Sequence, residues 1–226
     1  MADIKGNLER VRERIAAACR RAGRAEGEVT LVAVTKTVTP IEVAELYRLG
    51  VRDFGENRVA DGLERKNVLA AADSRWHLIG HLQRNKAAMA LSGGFTRIHS
   101  VESGKLLDVL DRECGRLGVR AEILLEVSVS GEESKYGIAP ADLPSLAAAA
   151  AAKTNLELSG LMTMAPLSDD PEESRPLFRE LARLRDDTEK RLGRPLPHLS
   201  MGMTGDFEVA VEEGATLVRV GTALYK

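Results

Sequence analysis

A chain of 226 residues fits one large domain or two small ones, and a single domain of that size holds together without a disulfide or a metal. The 32 basic and 34 acidic side chains leave a formal charge of −2, without the basic excess of a dedicated nucleic-acid binder. Cys19 and Cys114 lie outside any C-x-x-C pair, the N-terminus is charged from the start, and no run approaches the roughly 18 apolar residues of a membrane span, so a cytoplasmic protein is expected, with no nucleic acid or membrane among its partners.

Leu8, Val11, Ile15 and Ala18 recur at helical spacing among Arg and Glu, which predicts an opening amphipathic helix that Gly23 ends. Val29–Thr35 then reads as a strand buried on both faces. Thr39-Pro40 begins a helix, with Pro at an early position and Glu42 in the first turn. Further β-prone segments follow at Asp53–Phe54, Trp76–Ile79, Arg97–His99, Glu122–Val127, Leu156–Gly160, His198–Leu199 and Leu217–Val220. Helical stretches occupy most intervals: Pro40–Leu49, Asn57–Ala71, Gly104–Leu117, Ala141–Ala152, Glu172–Leu192 and Phe207–Glu213. Eight strands alternating with helices predict an α/β protein with a parallel sheet closed as a single (β/α)8 TIM barrel over residues 1–226. Asp53–Phe54 and His198–Leu199 are weak strands on their own, so a doubly wound open sheet is the alternative.

In such a barrel the chemistry sits at the C-terminal ends of the strands. Lys36 follows the first strand directly. There a partly desolvated amine becomes a nucleophile towards aldehydes, although a lysine at a strand end also snorkels to solvent. Ser200-Met201-Gly202-Met203-Thr204 and Arg219-Val220-Gly221-Thr222 follow the seventh and eighth strands, the usual phosphate loops of this fold. Glycine lets backbone N–H groups approach an anion and hydroxyls add donors, while both are also common in turns. Two such loops and a lysine on the first strand point to a phosphorylated aldehyde. His77 and His99 lie in strands and read as structural histidines. His, Cys and Asp/Glu do not fall at metal-ligand spacing, so no metal is expected.

Several segments together resemble a known family. They are Ala33–Lys36, Phe54–Asn57, Trp76–Lys86, Glu133–Gly137, Gly160–Met164, Leu199–Asp206 and Arg219–Thr222, in order and at the right spacing through nearly the whole chain. They resemble the pyridoxal 5'-phosphate (PLP) homeostasis proteins, also called PROSC or YggS-like. The resemblance implies a fold-type III PLP-binding barrel like the N-terminal domain of alanine racemase, lacking that enzyme's second β domain. It implies PLP as cofactor, held as a Schiff base on Lys36. Ser200, Gly202, Met203, Gly221 and Thr222 would surround the phosphate, and Arg219 would face the pyridine nitrogen. Asn57 and His81 would line the pocket near the ring, with Met162 packing nearby. Two features depart from the family pattern: the chain stops soon after the final Gly-Thr, and Trp76 and Thr204 stand where other, similar residues are usual.

The partner of the ring nitrogen decides how strong an electron sink PLP becomes, and an arginine there makes a weak one. Racemisation needs a proton donor on each face of the substrate. Lys36 supplies one, and Tyr136 is the nearby candidate for the other, although a loop tyrosine is more often packing or rim. The expectation is a monomer that binds, buffers and delivers PLP, with PLP-dependent apoenzymes as partners and without efficient turnover. Lys135 could take up PLP transiently. The alternatives are a catalytic racemase or lyase of the same barrel class, an aldolase-type Schiff-base barrel without cofactor, and a scaffold that binds no PLP.

Overall fold

The computed structural model describes residues 3–130 and 136–226. Gly131–Lys135, including the Lys135 singled out above, lie outside the described residues. Eight parallel strands pair in chain order and close into a barrel: β1 (Thr30–Val34), β2 (Asp53–Glu56), β3 (Arg75–Leu78), β4 (Arg97–Val101), β5 (Ala121–Glu126), β6 (Leu156–Met162), β7 (His198–Ser200) and β8 (Leu217–Val220). Closure is explicit in the β1–β8 register, which runs from Thr30 opposite Leu217 to Ala33 opposite Val220. The open sheet is therefore excluded. The two weak strands form because both neighbours hold them: Phe54 pairs with Ala33 and Trp76, and Ser200 with Met162 and Leu217.

Helices α1 (Ile4–Arg21), α2 (Pro40–Arg48), α3 (Val59–Leu69), α4 (Ala87–Ser92), α5 (Gly104–Leu117), α6 (Leu143–Ala151), α7 (Arg175–Leu192), α8 (Phe207–Glu212) and α9 (Thr222–Tyr225) surround the strands. Thr39 caps α2 as its composition suggests: the Thr39 hydroxyl accepts from the Glu42 N–H, and Glu42 returns the bond to the Thr39 N–H at 2.7 Å. α1 buries Leu8, Val11, Ile15 and Ala18 and packs along α8 and α9. Polar clasps add to that packing, with Asn7 Nδ2 donating to Leu224 O at 3.2 Å and Arg14 paired to Glu208 at 2.7 Å.

The main apolar core lies between the strands and the helices; Phe54, Trp76 and Phe95 form an aromatic stack there at 5.1 and 6.2 Å. Inside the barrel the apolar filling is a small separate cluster of Val32, Leu124, Met162 and Leu217. Buried polar side chains, including Asp53, His77, His99, Ser200 and Arg219, take up much of the remaining interior. β6 approaches β7 so closely that a Cβ on Gly160 would lie 1.9 Å from the His198 carbonyl oxygen, which restricts that position to glycine.

Candidate functional site

A cavity of about 990 Å³ opens at the C-terminal ends of the strands. Every strand except β4 and β7 has a residue in or just after it on the wall without a long excursion, and β7 reaches the wall through its following loop. Of the residues expected from the sequence, Lys36, Asn57, His81, Met203, Arg219, Gly221 and Thr222 line it. The fold brings these seven together from β1, β2, β3, β7 and β8.

Lys36 is exposed at the cavity mouth, where the buried run ends at Thr35. Its side chain leaves the strand end towards the open cavity. Its backbone is firmly held: Arg65 of α3 donates to Lys36 O at 3.3 Å and Val38 O at 2.9 Å. The same guanidinium pairs with Glu56 at 3.4 Å, and Glu56 accepts a short hydrogen bond from the Thr35 hydroxyl. Burial nevertheless pushes the Glu56 carboxyl up.

Met162, Ser200 and Gly202 are not on the wall. Met162 belongs to the apolar cluster inside the barrel. Ser200 Oγ lies within the barrel, 2.8 Å from His99 Nδ1 and accepting from Arg219 Nη1 at 2.6 Å. Both residues are inward-facing members of strands whose rim is formed by later residues. Gly202 instead shapes the loop after β7. Its φ is +89°, a Cβ would lie 2.6 Å from Ala210 Cβ, and its carbonyl accepts the Arg219 N–H at 3.0 Å. The Met203 N–H is taken by Asp206 at 2.6 Å, so that donor is not available to an anion. Thr204 and Gly205, next in the loop, reach the wall.

Sequence reasoning missed Glu126, at the end of β5. It is 4% exposed, lines the cavity, and has no side-chain hydrogen-bond partner among the described residues. Burial pushes its carboxyl up to about 7, with repulsion from Glu102 adding to the rise and Arg219 opposing it. It falls inside the expected strand Glu122–Val127, whereas candidates were sought after the strand ends. Inward alternation along β5, which puts Glu122, Leu124 and Glu126 on one face, is the signal that could have found it. Glu102 braces this wall, 3.0 Å from His81 Nδ1 and accepting from the Gly137 N–H at 3.1 Å. The His81 ring lies 4.9 Å from that of Tyr136.

Arg219 is buried beneath the cavity, and desolvation brings its guanidinium down to about 10, partly offset by Asp206 and Glu126. It remains a cation. Four cationic side chains (Lys36, Arg58, Lys86 and Arg219) line the cavity against the two carboxylates of Asp61 and Glu126, a balance that suits an anionic ligand.

These features define a (β/α)8 barrel whose rim joins a first-strand lysine to glycine- and hydroxyl-bearing loops after the last two strands. A family model described as alanine racemase, N-terminal domain, matches residues 6–226. The chain is 44% identical over 218 residues to the pyridoxal phosphate homeostasis protein of Aquifex aeolicus, covering 96% of this chain and 95% of that one. It is similar to a protein from Bifidobacterium adolescentis of known structure (TM-score 0.91, 39% identity, 98% and 94% of the two chains covered). The structure of PipY from Synechococcus elongatus PCC7942 with PLP bound is likewise similar (TM-score 0.84, 35% identity, 96% and 100% covered). The chain belongs to the pyridoxal phosphate homeostasis protein family, built on the alanine racemase N-terminal domain fold.

Proposed function

We propose that this chain binds PLP in the upper cavity and acts in intracellular PLP homeostasis, buffering the aldehyde and handing it to apoenzymes that need it. The observation that carries this reading is the convergence of the Lys36 amine, the Thr204–Gly205 and Gly221–Thr222 loops and the Arg219 guanidinium on one electropositive cavity. A relative holding PLP on the same fold supports it. When bound, PLP supplies an electrophilic aldehyde and an electron-withdrawing ring.

Lys36 would hold the aldehyde, its backbone clamped by Arg65 so that the side chain starts from a fixed point. The loops after β7 and β8 would receive the phosphate, with Thr204, Gly221 and Thr222 as donors, Met203 as wall, and Ser200 and Gly202 supporting from behind. Arg219 would face the ring nitrogen as a donor, which disfavours protonation there. Asn57 and His81 flank the ring, and Met162 packs in the barrel below. The single barrel, residues 1–226, is the whole binding unit, acting as a monomer. Carriage without efficient turnover is the expected behaviour, since a weak electron sink disfavours carbanion chemistry.

An absorbance spectrum of the full chain with PLP added, followed by borohydride reduction and peptide mass mapping, tests this. A visible band and a reduced adduct on Lys36, both lost in Lys36→Ala, are expected. A colourless protein, or an adduct on another side chain, overturns the reading. Turnover of D- or L-amino acids at rates typical of racemases would replace the carrier with an enzyme.

A further inference from the structure

The interior of a (β/α)8 barrel is ordinarily filled by layers of branched apolar side chains. In this barrel a continuous file of five polar side chains runs through it. Asp53 Oδ1 lies 3.0 Å from His77 Nε2, and His77 Nδ1 lies 2.9 Å from His99 Nε2. His99 Nδ1 lies 2.8 Å from Ser200 Oγ, which accepts from Arg219 Nη1 at 2.6 Å. Arg219 Nη2 donates to Thr163 O at 2.8 Å, so both terminal nitrogens are held. The file joins two openings. Asp53 lines a smaller cavity of about 360 Å³, formed at the N-terminal strand ends with Arg12, Glu26 and Arg75, and Arg219 lines the upper one.

The direction of donation along the file follows from chemistry. Burial works against the Asp53 carboxylate, yet hydrogen bonds from His77 and Arg75 hold it down at about 2, and Arg97 lies 3.7 Å away. At neutral pH it therefore only accepts. His77 is fully buried, and desolvation keeps it neutral against the pull of Asp53. It must then carry its proton on Nε2 and accept at Nδ1. His99 is held neutral by burial and by the neighbouring His77 and Arg219, so it donates from Nε2 and accepts at Nδ1. Ser200 is left to donate to His99 and accept from Arg219. Arg97, Glu122 and His198 flank the lower half, with Arg97 3.1 Å and His198 3.4 Å from Glu122. Protonation of His77 would turn its Nδ1 into a donor, move the His99 proton to Nδ1 and turn the Ser200 hydroxyl elsewhere.

The geometry points to Asp53, His77, His99 and Ser200 as positioning residues for Arg219, forming a one-way hydrogen-bond relay that sets how its guanidinium faces the upper cavity from the opposite end of the barrel. The relay is a property of the chain itself; its effect on a cofactor rests on the reading of the upper cavity as the PLP site. An arginine held at two nitrogens presents its other donors in a fixed plane, so an acceptor such as a pyridine nitrogen meets an N–H that needs no reorganisation.

The full chain without PLP, labelled with ¹⁵N on histidine and arginine, gives the first test. Long-range ¹⁵N–¹H spectra at neutral pH are expected to place a proton on Nε2, and none on Nδ1, of both His77 and His99. The Arg219 Nη–H signals should be separate, and should average in Ser200→Ala. An Nδ1-protonated form or an imidazolium of either histidine, or averaged Arg219 signals in the unsubstituted chain, overturns the relay. The second test uses the PLP-loaded chain. Asp53→Ala is expected to mix the histidine tautomers and to move the pH midpoint of the visible absorbance by about half a unit or more. Arg52→Ala, which removes a cation of the lower cavity that bonds Asp73 and touches no member of the file, should move neither. Ser200→Ala cuts the relay at its upper end and carries the same expected midpoint shift if Asp53→Ala does not fold. An unmoved midpoint in a variant that still binds PLP overturns the positioning role. A chain that takes up no PLP at all overturns the proposed function and leaves the first test to decide the relay.

Discussion

Glu126 ends β5 with its carboxyl facing the cavity and no donor among the described residues to hold it. Its ordinary value of 4.5 rises to about 7 in the fold. A raised acid stabilises the folded chain below the lower value, and that stability is lost as pH rises through the upper one. Glu126→Gln should therefore match the parent near pH ~4.5 and exceed it by roughly 2 kcal/mol above pH ~7, read by urea unfolding across that range. Gly202 carries the other sharp expectation at this scale. With φ at +89° and Ala210 Cβ 2.6 Å from where its own Cβ would sit, Gly202→Ala must shift the loop after β7. It should weaken PLP binding by about tenfold in an equilibrium titration, equivalent to about 1.4 kcal/mol. Seven of the ten expected site residues lie on the cavity wall, where strand–loop alternation and the family resemblance together placed them. Met162 and Ser200 lie behind that wall, because inward parity and depth along a strand depend on register, which no local pattern carries, and Gly202 sits behind it in the loop after β7.

Element boundaries respond to the same division between local and tertiary causes. α5 was readable to the residue, since Ser103 caps it and Gly118 ends it in the left-handed region. α4 was not, because Ala-Ala-Met-Ala-Leu-Ser has too little polar contrast to declare a face. β2 and β7 were legible only as short suspects; their neighbours' backbones make them strands. α3 ends on Ala70 at φ 48°, a left-handed turn built without glycine. Ala70→Gly should stabilise the protein by about 0.5–1 kcal/mol, seen as a melting-temperature rise of about 1–3 °C. Thr39→Ala removes the capping box of α2 and should cost about 1 kcal/mol, measured as a lower urea midpoint.

For the molecule as a whole, α1 is as much a part of the fold as the strands. Removing residues 3–22 would strip Leu8, Val11, Ile15 and Ala18 from α8 and α9 and undo the Asn7 and Arg14 clasps. Loss of cooperative unfolding, followed by near-ultraviolet circular dichroism, is expected. The pairing of Thr30–Ala33 with Leu217–Val220 has a further consequence for how the protein is made. On the ribosome, the first strand waits with one side bare until almost all the other residues have emerged, and the opening helix waits with it for the segment it covers. Closure therefore waits for the last strand, and nascent chains stalled ahead of Leu217 should be cut readily by protease while chains in which Leu217–Val220 has emerged resist.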